Sequence, residues 1–187
     1  MTRLIGLLLF LLAVPAAGLG GDDAKDPKNW TPIKIPGRQK APEFEDIAEW
    51  VNSPALTMKE LKGKVVVVQF MAFGCINCIH NYPWYKSVWK DFKDKGVVVI
   101  GIHTPETEGE KNVKTLQKRL KDAELTFPVA VDNKTTMWKQ YHNSYWPSVY
   151  LIDKEGIARW GWSGELGWKG AKGETHMRAK IEELLKE

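Results

Sequence analysis

The chain has 187 residues, 43% hydrophobic and 27% charged, which is the composition of a soluble globular protein with one ordinary domain. Its net charge of +4 comes from lysines and acids interspersed along the chain, which argues against a nucleic-acid-binding surface. The two cysteines, Cys75 and Cys78, are too few and too close together to form a stabilising disulfide framework.

The first residues predict a signal for export. Arg3 precedes an apolar run at residues 4–14, and a stretch of small residues follows at 15–20. This order is typical of a secretory signal peptide, and the run is shorter than the roughly 20 residues needed to span a bilayer. We therefore predict a signal peptide at residues 1–20 and a periplasmic or secreted protein. If the segment is not cleaved, it would anchor the protein to a membrane.

The rest of the chain predicts one domain. Residues 21–41 are polar and rich in proline, so we expect an extended, weakly ordered segment before a domain at 42–187. Strands that alternate with helices, then a hairpin and a last helix, predict an α/β fold whose central mixed sheet is covered by helices on both faces. The predicted strands are 65–70, 97–102, 127–131, 148–152 and 157–162, and the predicted helices are 75–95, 110–123, 135–142 and 174–186.

The two cysteines have the spacing of a redox centre. They follow the buried strand 65–70 and begin the helix 75–95, and the free amides and dipole at a helix N-terminus stabilise a thiolate. We therefore expect Cys75 to be exposed and activated, and to attack a disulfide. Cys78, one turn later and more buried, would resolve the mixed disulfide. In an exported chain, where the surroundings are not reducing, we expect such a pair to have a chemical role and not a structural one.

Other uses of a Cys-x-x-Cys pair fit this sequence less well. A structural zinc site needs a second pair of ligands, which the chain lacks. Haem attachment needs a histidine directly after Cys78, but Ile79 stands there. A copper site that adds His80 or His103 has no support from spacing. We predict no metal and no cofactor.

Several motifs resemble a known family. The segment from Gly63 to Cys78, with Pro83 five residues later, resembles thioredoxin, and in particular the exported TlpA/ResA-type branch. Residues 101–106 (Gly-Ile-His-Thr-Pro-Glu) and 145–153 resemble the thioredoxin-like domain of DipZ-type proteins. The resemblance runs from about residue 42 to the C-terminus.

The resemblance implies the thioredoxin fold and several roles. Pro147 would be a cis-proline facing a Cys75–Cys78 disulfide, and Trp146 would border Cys75 and pair through its backbone with an extended substrate. Since His103 ends a strand parallel to 65–70, it would also lie at the functional edge of the sheet. The implied partners are protein thiols and disulfides, with a membrane or periplasmic redox partner. We expect a monomer that binds no nucleic acid.

Two departures from the family pattern concern the proton path. Thioredoxin has a buried aspartate six residues before its first cysteine, where this chain has Gln69, and ResA-type proteins have a glutamate where this chain has Asn81. Neither amide can accept a proton from Cys78. The general base is therefore unidentified, and Glu106 is a weak candidate.

Two other functions are compatible with this sequence. A peroxide-reducing enzyme of the peroxiredoxin type shares the fold but expects Pro and Thr before a lone cysteine, whereas residues 71–74 are Met-Ala-Phe-Gly. A binding module could instead retain the pair as a structural disulfide. The resemblance favours a reductant over an oxidant.

Overall fold

The computed structural model describes residues 26–187. The predicted signal peptide at 1–20 lies outside the described residues. Among the described residues, no helix has both the length and the apolar character that crossing a membrane requires.

The centre of the fold is a seven-stranded mixed sheet with the strand order β1-β7-β6-β3-β4-β5-β2. The central strand β3 runs parallel to β4 and antiparallel to β6, and all of its seven residues are buried. Continuous runs of β-branched residues suit a strand that is covered on both faces. The strands are β1 (Ile33–Lys34), β2 (Trp50–Val51), β3 (Val65–Met71), β4 (Val97–His103), β5 (Val129–Val131), β6 (Ser148–Ile152) and β7 (Ala158–Ser163).

Helices cover both faces of this sheet, which confirms the predicted fold class. The larger core cluster joins one face to α1, α2 and α4, and the smaller cluster joins the other face to α3 and to the turn around Leu61. Right-handed crossovers from β3 to β4 and from β4 to β5 place α1 and α2 on the same face. The helices are α1 (Ile76–Phe92), α2 (Val113–Asp122), α3 (Thr136–Gln140) and α4 (Gly173–Lys186).

The sheet begins earlier in the chain than the expected boundary at residue 42. Ile33–Lys34 forms an edge strand that pairs antiparallel with β7, and Lys40 makes an isolated bridge to Ile157. The segment expected to be weakly ordered is therefore held, from residue 33 onward, by backbone hydrogen bonds to the last hairpin. Trp50–Val51, which the sequence pattern missed, adds a second edge strand beside β5.

Helix α1 starts one residue later than predicted, because Cys75 caps it rather than belonging to it. The helix continues through Pro83 to Phe92 and ends in a short 3-10 turn at Lys93–Lys95, followed by Gly96 in the left-handed conformation. A long helix thus extends from the cysteine pair along the sheet, and it places both cysteines at the carboxyl end of β3.

Gly173, the first residue of α4, predicts a large effect on stability. A Cβ at this position would lie 2.6 Å from Cζ2 of Trp162 and 2.7 Å from the carbonyl oxygen of Leu166. Because Trp162 is 3% exposed and the other neighbour is backbone, neither can move easily. We expect Gly173→Ala to lower the free energy of unfolding in urea by about 1–3 kcal/mol. Gly167→Ala is the matched control, since its Cβ would meet nothing within 4 Å; equal losses in both variants would contradict this account.

Candidate active site

Cys75 is the N-cap of α1, and its sulfur is turned back onto the first helical turn. Its Sγ accepts a hydrogen bond from the backbone N–H of Cys78 at 3.3 Å and a second one from the Cys78 thiol. Cys75 is 8% exposed and Cys78 is 1% exposed. The expected order of exposure therefore holds, but Cys75 is less exposed than the sequence suggested, because its side chain folds against the helix that it caps.

The same geometry separates the two thiols chemically. The Cys78 thiol donates to the Cys75 sulfur and thereby lowers the pKa of Cys75, against the opposing effects of burial and of the Glu106 charge. That hydrogen bond and burial raise the pKa of Cys78. Cys75 is thus the member of the pair that ionises first, and Cys78 retains its proton.

The loop that carries Cys75 is held by a carboxylate that sequence reasoning passed over. Oε1 of Glu110 accepts a hydrogen bond from the backbone N–H of Gly74 at 2.8 Å. Oε2 of the same side chain accepts from the N–H groups of Glu106 at 2.7 Å and Thr107 at 3.1 Å. Glu110 therefore ties the loop before Cys75 to the loop after β4.

The Trp146–Pro147 peptide bond is cis, as predicted. Pro147 directly precedes β6, whose first residue pairs with Phe70 near the carboxyl end of β3, so the cis bond lies at the edge of the sheet where the cysteines follow. The Pro147 carbonyl oxygen accepts from the N–H of Gly164 at 2.8 Å. The backbone that follows the cis bond is thus fixed at the functional edge.

Asn81 connects α1 to this edge. Its Oδ1 accepts from the N–H of Leu166 at 2.9 Å, and its Nδ2 donates to the carbonyl oxygen of Gly164 at 3.4 Å. Both ends of the amide are therefore engaged in holding the loop after β7. Asn81 serves in packing the site, and the expectation that it accepts no proton is consistent with this role.

Trp146 is held in place by a network centred on a buried carboxylate. Its Nε1 donates to the carbonyl oxygen of Thr104 at 3.0 Å, and its ring stacks on Trp138 with the centroids 3.8 Å apart. The hydroxyl of Thr104 and the backbone N–H of Trp138 both donate at 3.0 Å to Oδ2 of Asp132. The orientation of Trp146 therefore depends on Asp132, which is fully buried.

His103 is the last residue of β4 and is fully buried. Its ring stacks on Phe73, two residues before Cys75, with the centroids 5.4 Å apart. Within residues 26–187, neither ring nitrogen makes a hydrogen bond. Burial lowers the pKa of His103 to about 4, against a smaller opposing effect of the Glu110 charge, so the ring is neutral near pH 7.

This buried histidine predicts a loss of stability in acid. Its pKa falls from 6.5 to about 4 on folding, so below pH 6.5 the unfolded chain binds a proton that the folded chain does not. Stability should therefore fall as the pH is lowered from 6.5 towards 4. We expect the free energy of unfolding in urea to fall between pH 7 and pH 4.5 in the wild type. In His103→Leu, this fall should be smaller by about 2 kcal/mol. Identical pH profiles of the two proteins would contradict the buried neutral ring.

The remaining candidates for proton transfer and metal binding are placed as follows. Gln69 is 1% exposed, and its amide makes no hydrogen bond within the described residues. Glu106 is mostly exposed. Its partial burial raises its pKa, and the negative charge of Glu110 raises it further. His80 is exposed and lies with its Nδ1 3.0 Å from Oε2 of Glu165. Residues 26–187 contain no group of three or more metal-ligating side chains that could hold an ion.

Of the two carboxylates that sequence reasoning missed, Glu110 had a readable signal. Thr107 and Glu110 form a capping box around the 3-10 helix Glu108–Lys111, and the pattern Thr-x-x-Glu is visible in the sequence. The pattern does not reveal that Oε1 of Glu110, the carboxylate oxygen outside the capping box, accepts a hydrogen bond from the N–H of Gly74. Asp132 had no such signal, because its partners Thr104 and Trp138 lie on separate elements.

A cysteine pair that caps the helix after a buried central strand, beside a cis-proline on the next strand of a mixed sheet, defines a protein of the thioredoxin-like class. The chain belongs to the AhpC/TSA family, whose model matches residues 38–160.

Curated relatives and solved structures agree with this placement. The chain is 39% identical to Protein DipZ of Mycobacterium bovis over 122 residues, which are 64% of this chain and 18% of that protein. It is 30% identical to thiol-disulfide oxidoreductase ResA of Bacillus cereus over 118 residues, 63% of this chain and 64% of ResA. The chain therefore spans about a fifth of the length of DipZ and less than two thirds of ResA.

Two solved structures share the fold. A crystal structure of a thioredoxin-like superfamily protein superposes with a TM-score of 0.71 at 31% identity, covering 80% of this chain and 97% of that one. A thiol-disulfide isomerase from Corynebacterium glutamicum superposes with a TM-score of 0.67 at 28% identity, covering 79% of this chain and 97% of that one. These matches confirm the thioredoxin-like fold predicted from the sequence.

Proposed function

We propose that this protein is a thiol-disulfide oxidoreductase that acts on protein disulfides through Cys75 and Cys78. The observation that supports this proposal best is the asymmetry of the pair. Cys75 caps α1 with a sulfur that accepts two hydrogen bonds from Cys78, while Cys78 is buried and keeps its proton. A nucleophile beside a protonated resolving thiol is the arrangement that two-step disulfide exchange requires.

In the proposed reaction, the Cys75 thiolate attacks one sulfur of a substrate disulfide. A mixed disulfide forms at Cys75, and the other substrate sulfur leaves as a thiolate. Cys78 then loses its proton and attacks the Cys75 sulfur, which forms the Cys75–Cys78 disulfide and releases the second substrate thiol. The substrate gains two electrons and the protein loses two, so a dithiol partner must reduce the protein again before the next cycle.

The charges around the pair favour the direction of a reductant. Strong oxidants of this class owe their potential to a stabilised thiolate in the reduced form. Here the negative charge of Glu106 acts on both thiols and opposes their ionisation. Hydrogen bonds from the Cys78 thiol and from the backbone N–H groups of Cys78 and Asn77 lower the pKa of Cys75, whereas the charge of Glu106 acts in the opposite direction. We therefore assign the protein to the reducing side.

The proposed setting is outside the cytoplasm, in the periplasm or secreted, or attached to the membrane if the first 20 residues are retained. The basis is the order of a positive residue, an apolar run and small residues at 1–20. Disulfides form and persist in that setting, so a reducing protein would find disulfide substrates there. Trp146 and Pro147, at the edge of the sheet beside the cysteines, are proposed to border the bound substrate.

The proposal is tested with the reduced full chain and a disulfide-bonded peptide. The expected products are two peptide thiols and one Cys75–Cys78 disulfide for each protein, measured by thiol titration and mass spectrometry. If the peptide stays oxidised, the proposal fails. A parallel sample with hydrogen peroxide and a thiol reductant is expected to show no sustained consumption of peroxide; rapid turnover there, without peptide reduction, would establish the peroxide-reducing alternative.

A further inference from the structure

Glu110 is a buried carboxylate that forms no ion pair within residues 26–187, and it is 6% exposed. The three hydrogen bonds that it accepts all come from backbone N–H groups, those of Gly74, Glu106 and Thr107. Such donors satisfy the carboxylate oxygens but leave its negative charge without a counter-charge. The negative charge of Glu110 therefore lies beside the loop that carries Cys75.

The contact with Gly74 connects this charge to the cysteines. Gly74 directly precedes Cys75, and its N–H lies 2.8 Å from Oε1 of Glu110. A Cβ at Gly74 would lie 2.5 Å from the same oxygen, so glycine permits the approach. The position of the Cys75 backbone is therefore set in part by the carboxylate.

The carboxylate is also fixed from its own side. Thr107 and Glu110 form a reciprocal capping box, in which the Thr107 side chain accepts from the backbone of Glu110 and the Glu110 side chain accepts from the backbone of Thr107. Because Oε1 accepts from Gly74 and Oε2 accepts from Glu106 and Thr107, the carboxylate is held in one orientation, and its charge stays in one place. That charge raises the pKa of Glu106 and opposes the lowering of the pKa of His103, so its field extends around the site.

We infer that Glu110 is a positioning residue of the redox centre: its carboxylate holds Gly74, and thereby Cys75, and its charge adds to that of Glu106 in keeping the cysteine pair reducing. This inference rests on the proposed thiol-disulfide exchange. A negative charge near Cys75 disfavours the thiolate, and a less stable thiolate makes the reduced pair a better electron donor.

The test is the equilibrium of the full chain with reduced and oxidised glutathione, read as the fraction of protein disulfide. Glu110→Gln keeps the size of the side chain and removes its charge. We expect it to shift the equilibrium constant about ten-fold towards the dithiol and to lower the pKa of Cys75, measured by alkylation at several pH values. Gly74→Ala, which pushes the carboxylate away from the loop, should shift both quantities in the same direction by a smaller factor.

Glu108→Gln is the matched control, because Glu108 belongs to the same 3-10 helix but is exposed and paired with Lys111. It should change the equilibrium by less than about two-fold. If the wild type forms no disulfide with glutathione, the proposed function itself fails. If the wild type titrates but folded Glu110→Gln and Gly74→Ala both stay within about two-fold of it, the inference about Glu110 is overturned. Should Glu110→Gln not fold, Gly74→Ala decides by the same measurement.

Discussion

Cys75→Ser is expected to abolish disulfide exchange, with the rate falling to that of the uncatalysed reaction. A serine hydroxyl does not ionise near neutral pH and forms no bond with a substrate sulfur equivalent to a mixed disulfide. The substitution replaces a sulfur atom with an oxygen atom at the N-cap of α1. Because serine is itself a good N-cap residue, the fold should remain. The measurement is reduction of a disulfide-bonded peptide, with thermal unfolding as the check on folding.

Cys78→Ser is the matched variant, and its reaction with the peptide should differ from that of Cys75→Ser. Without the resolving thiol, Cys75 can still attack, so a mixed disulfide with the peptide should accumulate and persist. Mass spectrometry should find the adduct on Cys75, at one equivalent per chain. If Cys75→Ser retained exchange, or if Cys78→Ser formed no adduct, the assigned roles of the two cysteines would be wrong.

Asp132→Ala is expected to cause the second large effect, a loss of about 3 kcal/mol in the free energy of unfolding. The substitution leaves three buried donors without an acceptor, namely the Thr104 hydroxyl and the backbone N–H groups of Met137 and Trp138. Since Trp146 rests on Thr104 and on Trp138, its ring should also lose its fixed orientation. We therefore expect slower peptide reduction as well as a lower midpoint in urea.

The matched control is Asp122→Ala, at an exposed acid of α2 that pairs with Lys118. Because an exposed pair contributes little to stability, that variant should keep the urea midpoint and the activity of the wild type. Asp132→Asn keeps one acceptor oxygen, so its urea midpoint should lie between those of Asp132→Ala and Asp122→Ala. Equal urea midpoints for Asp132→Ala and Asp122→Ala would show that the network around Asp132 does not support the site.

The sequence predicts the centre of this fold well, because the signals there are local. The runs of β-branched residues at 65–70 and 97–102 can be buried on both faces only as central strands, and the structure has them as β3 and β4. The spacing of Cys75 and Cys78 at the end of the first run likewise predicts a helix start. The cis bond before Pro147 came from the resemblance to a family rather than from any local physical signal.

The edges of the sheet and the supports of the site could not be predicted in this way. Ile33–Lys34 and Trp50–Val51 are strands of two residues each, and they exist because distant strands offer them backbone partners. Asp132 and Glu110 appear in the sequence as ordinary acids near helix starts. Their importance arises from partners brought close by tertiary structure, such as Gly74, which is 36 residues away from Glu110.

The central claim is that Cys75 is the attacking thiol and Cys78 the protected one, and alkylation of the reduced full chain tests it most directly. Cys75 is 8% exposed and has a lowered pKa, whereas Cys78 is 1% exposed and has a raised pKa. Limited treatment with iodoacetamide at neutral pH, followed by peptide mapping, should therefore label Cys75 alone, at a rate that rises with pH through a pKa below that of an ordinary thiol. Labelling of Cys78 first, or of both cysteines at equal rates, would contradict the account.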